Sequence, residues 1–248
     1  MKAVLKSSIN NLKMIFDTKT FLLVLFIINL IVFYKKNNYI NYTNLNLSFE
    51  SYIKYIFFTS NYLLENISEL MFWVLYEIVF LILILKYIFI EFEIYNVYHV
   101  SRLKSKLNWF MSIETTLLIS SMLYNFLAIF ISYIYSPFKI INFKKLIVIY
   151  ILMVFFSLLI SLFFVLFRLI IKNGVVSILI LIFIMYLSFY VGCMFNINIY
   201  LPFNQMIFTN YIKFNQYINS IVYIGILNLF IAILIYKKIL ILDLVSKN

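Results

Sequence analysis

The sequence predicts an all-α polytopic membrane protein that crosses the bilayer six times. Three observations lead there. Of the 248 residues, 65% are hydrophobic and only 12% are charged, too little polar surface to cover a water-soluble domain of this size. The apolar residues fall into long runs, several of them near the ~20 residues that a helix needs to cross a hydrocarbon core of about 30 Å. Between the runs lie short islands rich in Lys, Asn and Tyr.

Composition also excludes several classes. The single Cys193 leaves no internal disulfide and no multi-cysteine metal site. The formal charge of +11 sits at the ends of apolar runs, so it reads as contact with anionic headgroups and as a topology signal; no nucleic acid is expected as a partner. With three Gly, two Pro and no GxxxG spacing, the helices are expected to pack through large aliphatic and aromatic side chains.

In chain order, residues 1–19 are too polar to span. At helical spacing Leu5, Ile9, Leu12 and Phe16 share one face and Lys6, Asn10, Lys13 and Asp17 another, which predicts an interfacial amphipathic helix. Spans are expected near 21–34, 70–90, 113–135, 146–171, 175–195 and 218–236, together one transmembrane domain over 1–248. The first is short at about 1.5 Å per residue and must recruit flanking residues. Between spans one and two, the apolar insert 53–58 is expected to rest on the outer surface. The segment 196–219 is too apolar for a free loop and too interrupted for a span; it reads as a re-entrant hairpin or as an interfacial loop.

Basic residues are more frequent on the side of the termini (Lys2, Lys6, Lys13, Lys19, Lys86, Arg102, Lys104, Lys106, Arg168, Lys172, Lys237, Lys238, Lys247) than on the other. By the positive-inside rule both termini and the island 91–112 are expected in the cytoplasm of a bacterial cell, with the chain in its cytoplasmic membrane.

The spans offer little for catalysis. The only histidine, His99, lies in the island, and no HExxH or acidic repeat occurs, so no enzyme activity and no metal are expected. Ser157 and Ser161 share a face of span four and are expected to bond to their own helix. Glu77 is the clearest intramembrane ionisable group, since a charge there costs about 2.5–3.5 kcal/mol even on insertion scales. Asn29, Asn125 and Asn228 are its uncharged company. Lys86 is expected to snorkel to headgroups.

In the island, Arg102, Lys106 and Trp109 recur at helical spacing beside a stripe of Leu103, Leu107 and Phe110. A short helix there would set a basic, Trp-tipped face next to an apolar one. Glu91 and Glu93 precede it, which a pure lipid anchor would not place at an anionic surface.

These features come in a telling order: an amino-terminal interfacial helix, a span, an outer loop, a second span ending in Glu91 or Glu93, then Tyr98, Arg102, Lys104, Lys106 and Trp109 within YHVSRLKSKLNWF. A broken outer segment before the last span follows, and the chain closes on Lys237, Lys238 and Asp243. The whole resembles the type-2 ABC exporter permeases, particularly the short permeases of low-GC Gram-positive bacteria. The resemblance implies that the island is a cytoplasmic coupling helix docking on a separate nucleotide-binding ATPase subunit. Arg102, Lys106 and Trp109 would contact the ATPase or fix the helix against it, and Glu91 or Glu93 would hold the connection to span two. It also implies a second cytoplasmic contact at Arg168 and Lys172, and pairing with a second permease copy or homologue. Glu114, where such proteins often carry a basic residue, departs from the pattern. No GxxxxGK[ST] motif occurs, so ATP and Mg would belong to the partner ATPase and no cofactor to this chain. The cargo expected is a peptide or hydrophobic molecule, as in antimicrobial peptide export or bacteriocin self-immunity. The alternative is a stand-alone integral membrane immunity or sensor protein without an ATPase partner.

Overall fold

A computed structural model describes residues 2–41, 48–58, 67–93, 100–101, 103–195, 197–207 and 214–241. Tyr98, His99, Arg102 and Asp243 lie outside these residues. The architecture is all-helical, and six helices are long and apolar enough to cross a membrane. In chain order the helices are α1 (Lys2–Ile15), α2 (Thr18–Asn41), α3 (Phe49–Phe57), α4 (Ile67–Glu93), α5 (Lys106–Tyr135), α6 (Phe143–Ile171), α7 (Gly174–Phe195) and α8 (Phe214–Ile241), of which all but α1 and α3 are long and apolar enough to span. Two single 3-10 turns, Asn198–Tyr200 and Pro202–Asn204, stand between α7 and α8. The spanning helices run alternately between an end that carries α1 and an end that carries α3. Residues 2 and 241 both lie at the α1 end.

Burial separates the spans. About two thirds of the most apolar window of α6 (67%) and of α4 (61%) is buried, against 22% for α7. Thus α4 and α6 form the centre, and α2, α7 and α8 turn most of their surface outward. Helix α7 buries one stripe, Ser177, Leu181, Met185, Phe189 and Gly192, at intervals of one helical turn. Its remaining faces carry exposed Val175, Leu179, Phe183 and Tyr190. Such a surface suits acyl chains.

Each expected span is longer than its apolar run. Helix α2 continues past 34 because the Lys35 ammonium, buried with its stem, donates to the Tyr55 carbonyl (3.1 Å) and stands over the Tyr55 ring. The first span therefore does not end at its first lysine. Helix α5 starts at Lys106, seven residues before the expected limit, with Ser105 as N-cap accepting from the Asn108 N–H (3.1 Å). Lys106 and Trp109 thus belong to the first turns of a spanning helix and not to a separate short one.

The amino-terminal helix docks by a different face from the one its amphipathic pattern indicates. Val4, Ser8, Asn11 and Ile15 turn to the bundle, whereas Leu5 and Ile9 are exposed. Polar contacts hold it: the Ser8 hydroxyl lies 2.6 Å from the Thr115 hydroxyl, and the Asn11 amide donates to the Tyr87 hydroxyl (3.2 Å). Lys86 does not simply snorkel but pairs with Asp17 (2.9 Å) at the start of α2. The Lys86 ammonium, and after it the N–H groups of Lys19 and Thr20, hold the Asp17 carboxyl below the usual carboxylate range.

At the other end α3 does not rest on the surface. Phe49, Tyr52, Ile53, Ile56 and Phe57 are all buried. Its first turn reaches the α5–α6 turn, where one Glu50 carboxylate oxygen accepts the backbone N–H of Ile141 (2.9 Å) and of Asn142 (2.5 Å). Tyr39, Tyr52 and Phe138 pack edge-on or tilted around this junction. Lys54, buried, stands over the Tyr217 ring at 5.5 Å. Burial, and next the charge of Lys145, pull its amine down to about 8. Between that value and the unfolded value near ~10.4 the unfolded chain holds more protons, so stability rises with pH across this window. Thermal unfolding of the purified protein should therefore show a rising midpoint from pH 7.5 to 9.5, and the rise should flatten in Lys54→Met.

The segment between α7 and α8 resolves the two readings left open by sequence in favour of re-entry, over its described part. Pro202 and Phe203 border Ile184 and Leu187 of α7. Ile184 lies 11 residues before the end of α7 at Phe195, about 16 Å along the helix. The Phe203 ring also meets that of Phe163 on α6 (centroids 5.1 Å apart). Residues 197–207 thus dip to about half the length of α7. They fit because Gly192 has no side chain: a Cβ there would run into the amides of Asn204 and Asn198. The Asn204 amide in turn donates to the Ser188 carbonyl (2.9 Å) and to the Asn198 side-chain oxygen (2.8 Å). Gly192→Ala should lower the thermal midpoint by at least about 2–4 °C, the shift expected per kcal/mol for a chain of this size. Ala at the open Gly225, whose nearest neighbour for a Cβ is a Phe155 ring atom at 3.5 Å, should cost less.

Candidate functional site

Two groups of polar side chains are set into the bundle, and the sequence-predicted site residues divide between them. The first lies at the α1 end, where the chain leaves α4 and re-enters at α5. Glu91, on the last turn of α4, is buried, and its Oε1 accepts the indole N–H of Trp109 (2.5 Å). A carboxylate that accepts an N–H makes a stronger bond than a neutral acceptor would. The Phe92 ring meets Trp109 edge-on with centroids 5.4 Å apart. Two residues on, Glu93 forms an ion pair with Arg168 on the last turn of α6. The Lys106 ammonium donates to the Leu240 carbonyl near the end of α8 (2.8 Å). Lys104 adopts a left-handed backbone (φ 62°) just before the cap at Ser105, which turns the chain into α5. Lys172, expected as a second contact beside Arg168, is the left-handed C-cap of α6, its N–H returning to the Arg168 carbonyl (3.0 Å).

Trp109 is therefore not the tip of an exposed basic face. It is fully buried, because a large indole placed one turn into a spanning helix packs on Phe92 and satisfies its N–H on Glu91. Glu91, Glu93, Arg168, Lys106 and Trp109 instead lock the four helix ends α4, α5, α6 and α8 to each other. Their shared position could be anticipated from the acidic pair at the end of one span facing a Trp and an Arg at the ends of others.

The second group lies deeper, on α4, α5 and α6. Glu77 is fully buried about 15 Å from the α3-end start of α4. Its Oε2 accepts from the Ser157 hydroxyl (3.3 Å), and Ser157 accepts from the Asn125 amide (3.2 Å). The Asn125 oxygen accepts from the Tyr76 hydroxyl (2.7 Å), and the Tyr124 hydroxyl donates to the Tyr76 carbonyl (2.6 Å). The Glu77 Oε1 and the Trp73 indole N–H, one helical turn apart, have no hydrogen-bond partner. No basic side chain is among the hydrogen-bond partners of Glu77.

Of the four intramembrane polar residues expected, only Glu77 and Asn125 come together. Asn29 donates to its own helix at the Leu25 carbonyl (2.7 Å). Asn228 reaches the Phe155 carbonyl across the α6–α8 contact (3.1 Å). Ser157 does not bond to its own helix but bridges Glu77 and Asn125, whereas Ser161 donates to the Leu158 carbonyl as expected (2.7 Å). Tyr76 and Tyr124 were missed because tyrosines are so frequent here that neither stands out. Their adjacency to Glu77 and Asn125 was the available signal, since neighbours on two facing helices share one contact zone. The network can exchange a proton or hold a small polar group. Among the described residues no three His, Cys, Asp or Glu side chains converge.

No family model, curated protein or solved structure matches the chain. The class defined by fold and site is therefore that of a six-span integral membrane protein with one interlocked end and one buried carboxyl network.

Trp109→Phe keeps the ring packing on Phe92 and removes the N–H that Glu91 accepts. It should cost about 1.5–3 kcal/mol, as for a hydrogen bond to a charged group. Combined with Glu91→Gln the losses should fall short of their sum, measured by unfolding in detergent as a double-mutant cycle.

Proposed function

We propose that the chain is the membrane-spanning permease subunit of an ATP-driven ABC exporter that moves a peptide or hydrophobic substrate. ATP hydrolysis takes place on a separate nucleotide-binding subunit, and the chain works with a second copy or homologue in a bacterial cytoplasmic membrane, both termini facing the cytoplasm. One observation carries this reading: the interlock of Glu91–Trp109, Glu93–Arg168 and Lys106–Leu240 at the α1 end. A partner pressing on the segment between α4 and α5 works on residues bonded at both flanks to buried helix ends. Its displacement then passes to α4, α5, α6 and α8 as one body, as a motor held on another chain requires. A segment joined to its helices only by flexible backbone would absorb the push. The basic residues that cluster at this end support the same orientation.

The test is to purify the tagged chain from its native membrane and to seek a Walker-motif ATPase in the complex. An ATPase that co-purifies, and whose turnover in the complex falls at least 10-fold with Trp109→Ala while the helical content is unchanged, is the expected result. Absence of any ATPase, with function in the host unaltered by Trp109→Ala and Arg168→Gln, would overturn the proposal in favour of a stand-alone immunity or sensor protein.

A further inference from the structure

The buried face of α5 carries a ladder of hydroxyls that leads to the Glu77 network from one end of the bundle. Ser112, Thr116, Ser120 and Tyr124 follow one another at four-residue steps, all buried, from the α1 end to the level of Asn125. Thr116 donates to the Ser112 carbonyl (2.6 Å) and Ser120 to the Thr116 carbonyl (2.7 Å), which leaves both hydroxyl oxygens able to accept. Successive rungs stand about 6 Å apart along the axis, a gap that one water bridges. At the foot of the ladder the Asn11 amide of α1 donates to Thr116 (3.4 Å) and to Tyr87 on α4 (3.2 Å), and the Ser112 hydroxyl has no hydrogen-bond partner. Toward the α3 end the ladder breaks. Ala128 takes the next step, so Ser132 stands eight residues, about 12 Å, beyond Tyr124. Rings close that side, Trp73 against Phe156 (centroids 5.9 Å) and Tyr76 against Phe57 (4.7 Å).

The carboxyl at the head of the ladder is poorly placed to carry a charge. Glu77 is fully buried, its one hydrogen-bond partner among the described residues is Ser157, and it forms no ion pair. A carboxylate so placed loses its hydration and gains one neutral donor in return. No donor faces Oε1, so a proton can rest on that oxygen without displacing a bond. The groups that could titrate beside it are the phenols of Tyr76 on α4 and Tyr124 on α5. The acids and bases of the other packed helices are turned elsewhere: Glu50 of α3 to Ile141 and Asn142, Lys54 of α3 to the Tyr217 ring, and Lys35 of α2 to the Tyr55 carbonyl. Lys86 and Glu91 of α4 meet Asp17 and Trp109 at the α1 end, and α7 carries no acid or base.

We propose that Glu77 is a proton-binding site, occupied at neutral pH and reached from the α1 end along Ser112, Thr116 and Ser120. It belongs to this chain alone and does not depend on an ATPase partner, so failure of either proposal leaves the other in place.

Infrared spectroscopy of the full chain in lipid nanodiscs tests both parts. At pH 7, where an ordinary glutamate is ionised, the native chain should show the C=O stretch of a protonated carboxyl that is lost in Glu77→Gln. Ser157→Ala, which removes the bond to Oε2, should move that band to higher wavenumber and so assigns it independently. The rate at which the band shifts after transfer to heavy water reads access to the site. Thr116→Val, of the same shape without the hydroxyl, should slow the shift several-fold, and Ser132→Ala, beyond the break at Ala128, should leave it at the native rate. No band lost in Glu77→Gln with native helical content, a band unmoved by Ser157→Ala, or exchange as fast in Thr116→Val as in the native chain would overturn the inference.

Discussion

Hydrocarbon offers no hydrogen bonds, and this constraint places every element of the chain that is not itself a spanning helix. In water, α1, α3 and the segment 197–207 could satisfy their polar groups on solvent. Against a bilayer each must find its partners in the bundle or remain at the interface. Helix α1 does so through Ser8 and Asn11, α3 through Glu50, and the re-entrant segment through Asn198, Asn204 and Gln205. None of these contacts is large on the scale of the buried apolar surface. They decide where the apolar surface goes, because an alternative docking leaves an amide or carboxylate unsatisfied at a cost of about 1–3 kcal/mol or more each.

The same constraint explains why the interior is both aromatic and polar. With glycines almost absent, backbones are held apart, and the space between α4, α5 and α6 is filled by Trp73, Tyr76, Phe80, Tyr124 and Phe156, whose rings meet at centroid distances of 4.9–5.9 Å. Tyrosine fills volume as phenylalanine does but brings a hydroxyl that must be answered. Tyr76 and Tyr124 are answered by Asn125 and by a backbone carbonyl, and this draws Ser157 and Glu77 into the same chain of bonds. Burying one carboxyl among such rings is tolerated because the network around it is nearly complete. It leaves one carboxyl oxygen and one indole N–H without partners, one of several places among the described residues where the interior retains unused bonding capacity.

What could be read from the sequence follows from what composition encodes. The six spans were legible because length and hydropathy alone satisfy the bilayer, and each expected run lies within its observed helix. Which spans are central was not: α6 and α7 are similarly apolar, yet 67% of the one window and 22% of the other are buried. Hydropathy distinguishes water from non-water and is blind to lipid against protein. The short first run recruits flanking residues as its length requires, and Lys35 can join it because it finds a carbonyl on α3 from inside its helix. Trp109, expected at the tip of an exposed face, and Ser157, expected to bond to its own helix, find other partners for a related reason. Their partners, Glu91 and Glu77, are 18 and 80 residues away, and no local pattern carries that pairing.

The two ends of the bundle are consequently tied by different sets of side chains. At the α1 end, carboxylates meet an indole and a guanidinium across four helix termini, contacts that are strong, directional and few. At the α3 end, the Glu50 carboxylate ties α3 to the α5–α6 turn, and neutral amides and hydroxyls knit a dipping segment to α7 and α8. An interlock of charges resists separation of the helix ends, because stretching such a bond is costly. Helices α6 and α8 run the whole distance between these two ends and are joined midway where the Asn228 amide donates to the Phe155 carbonyl.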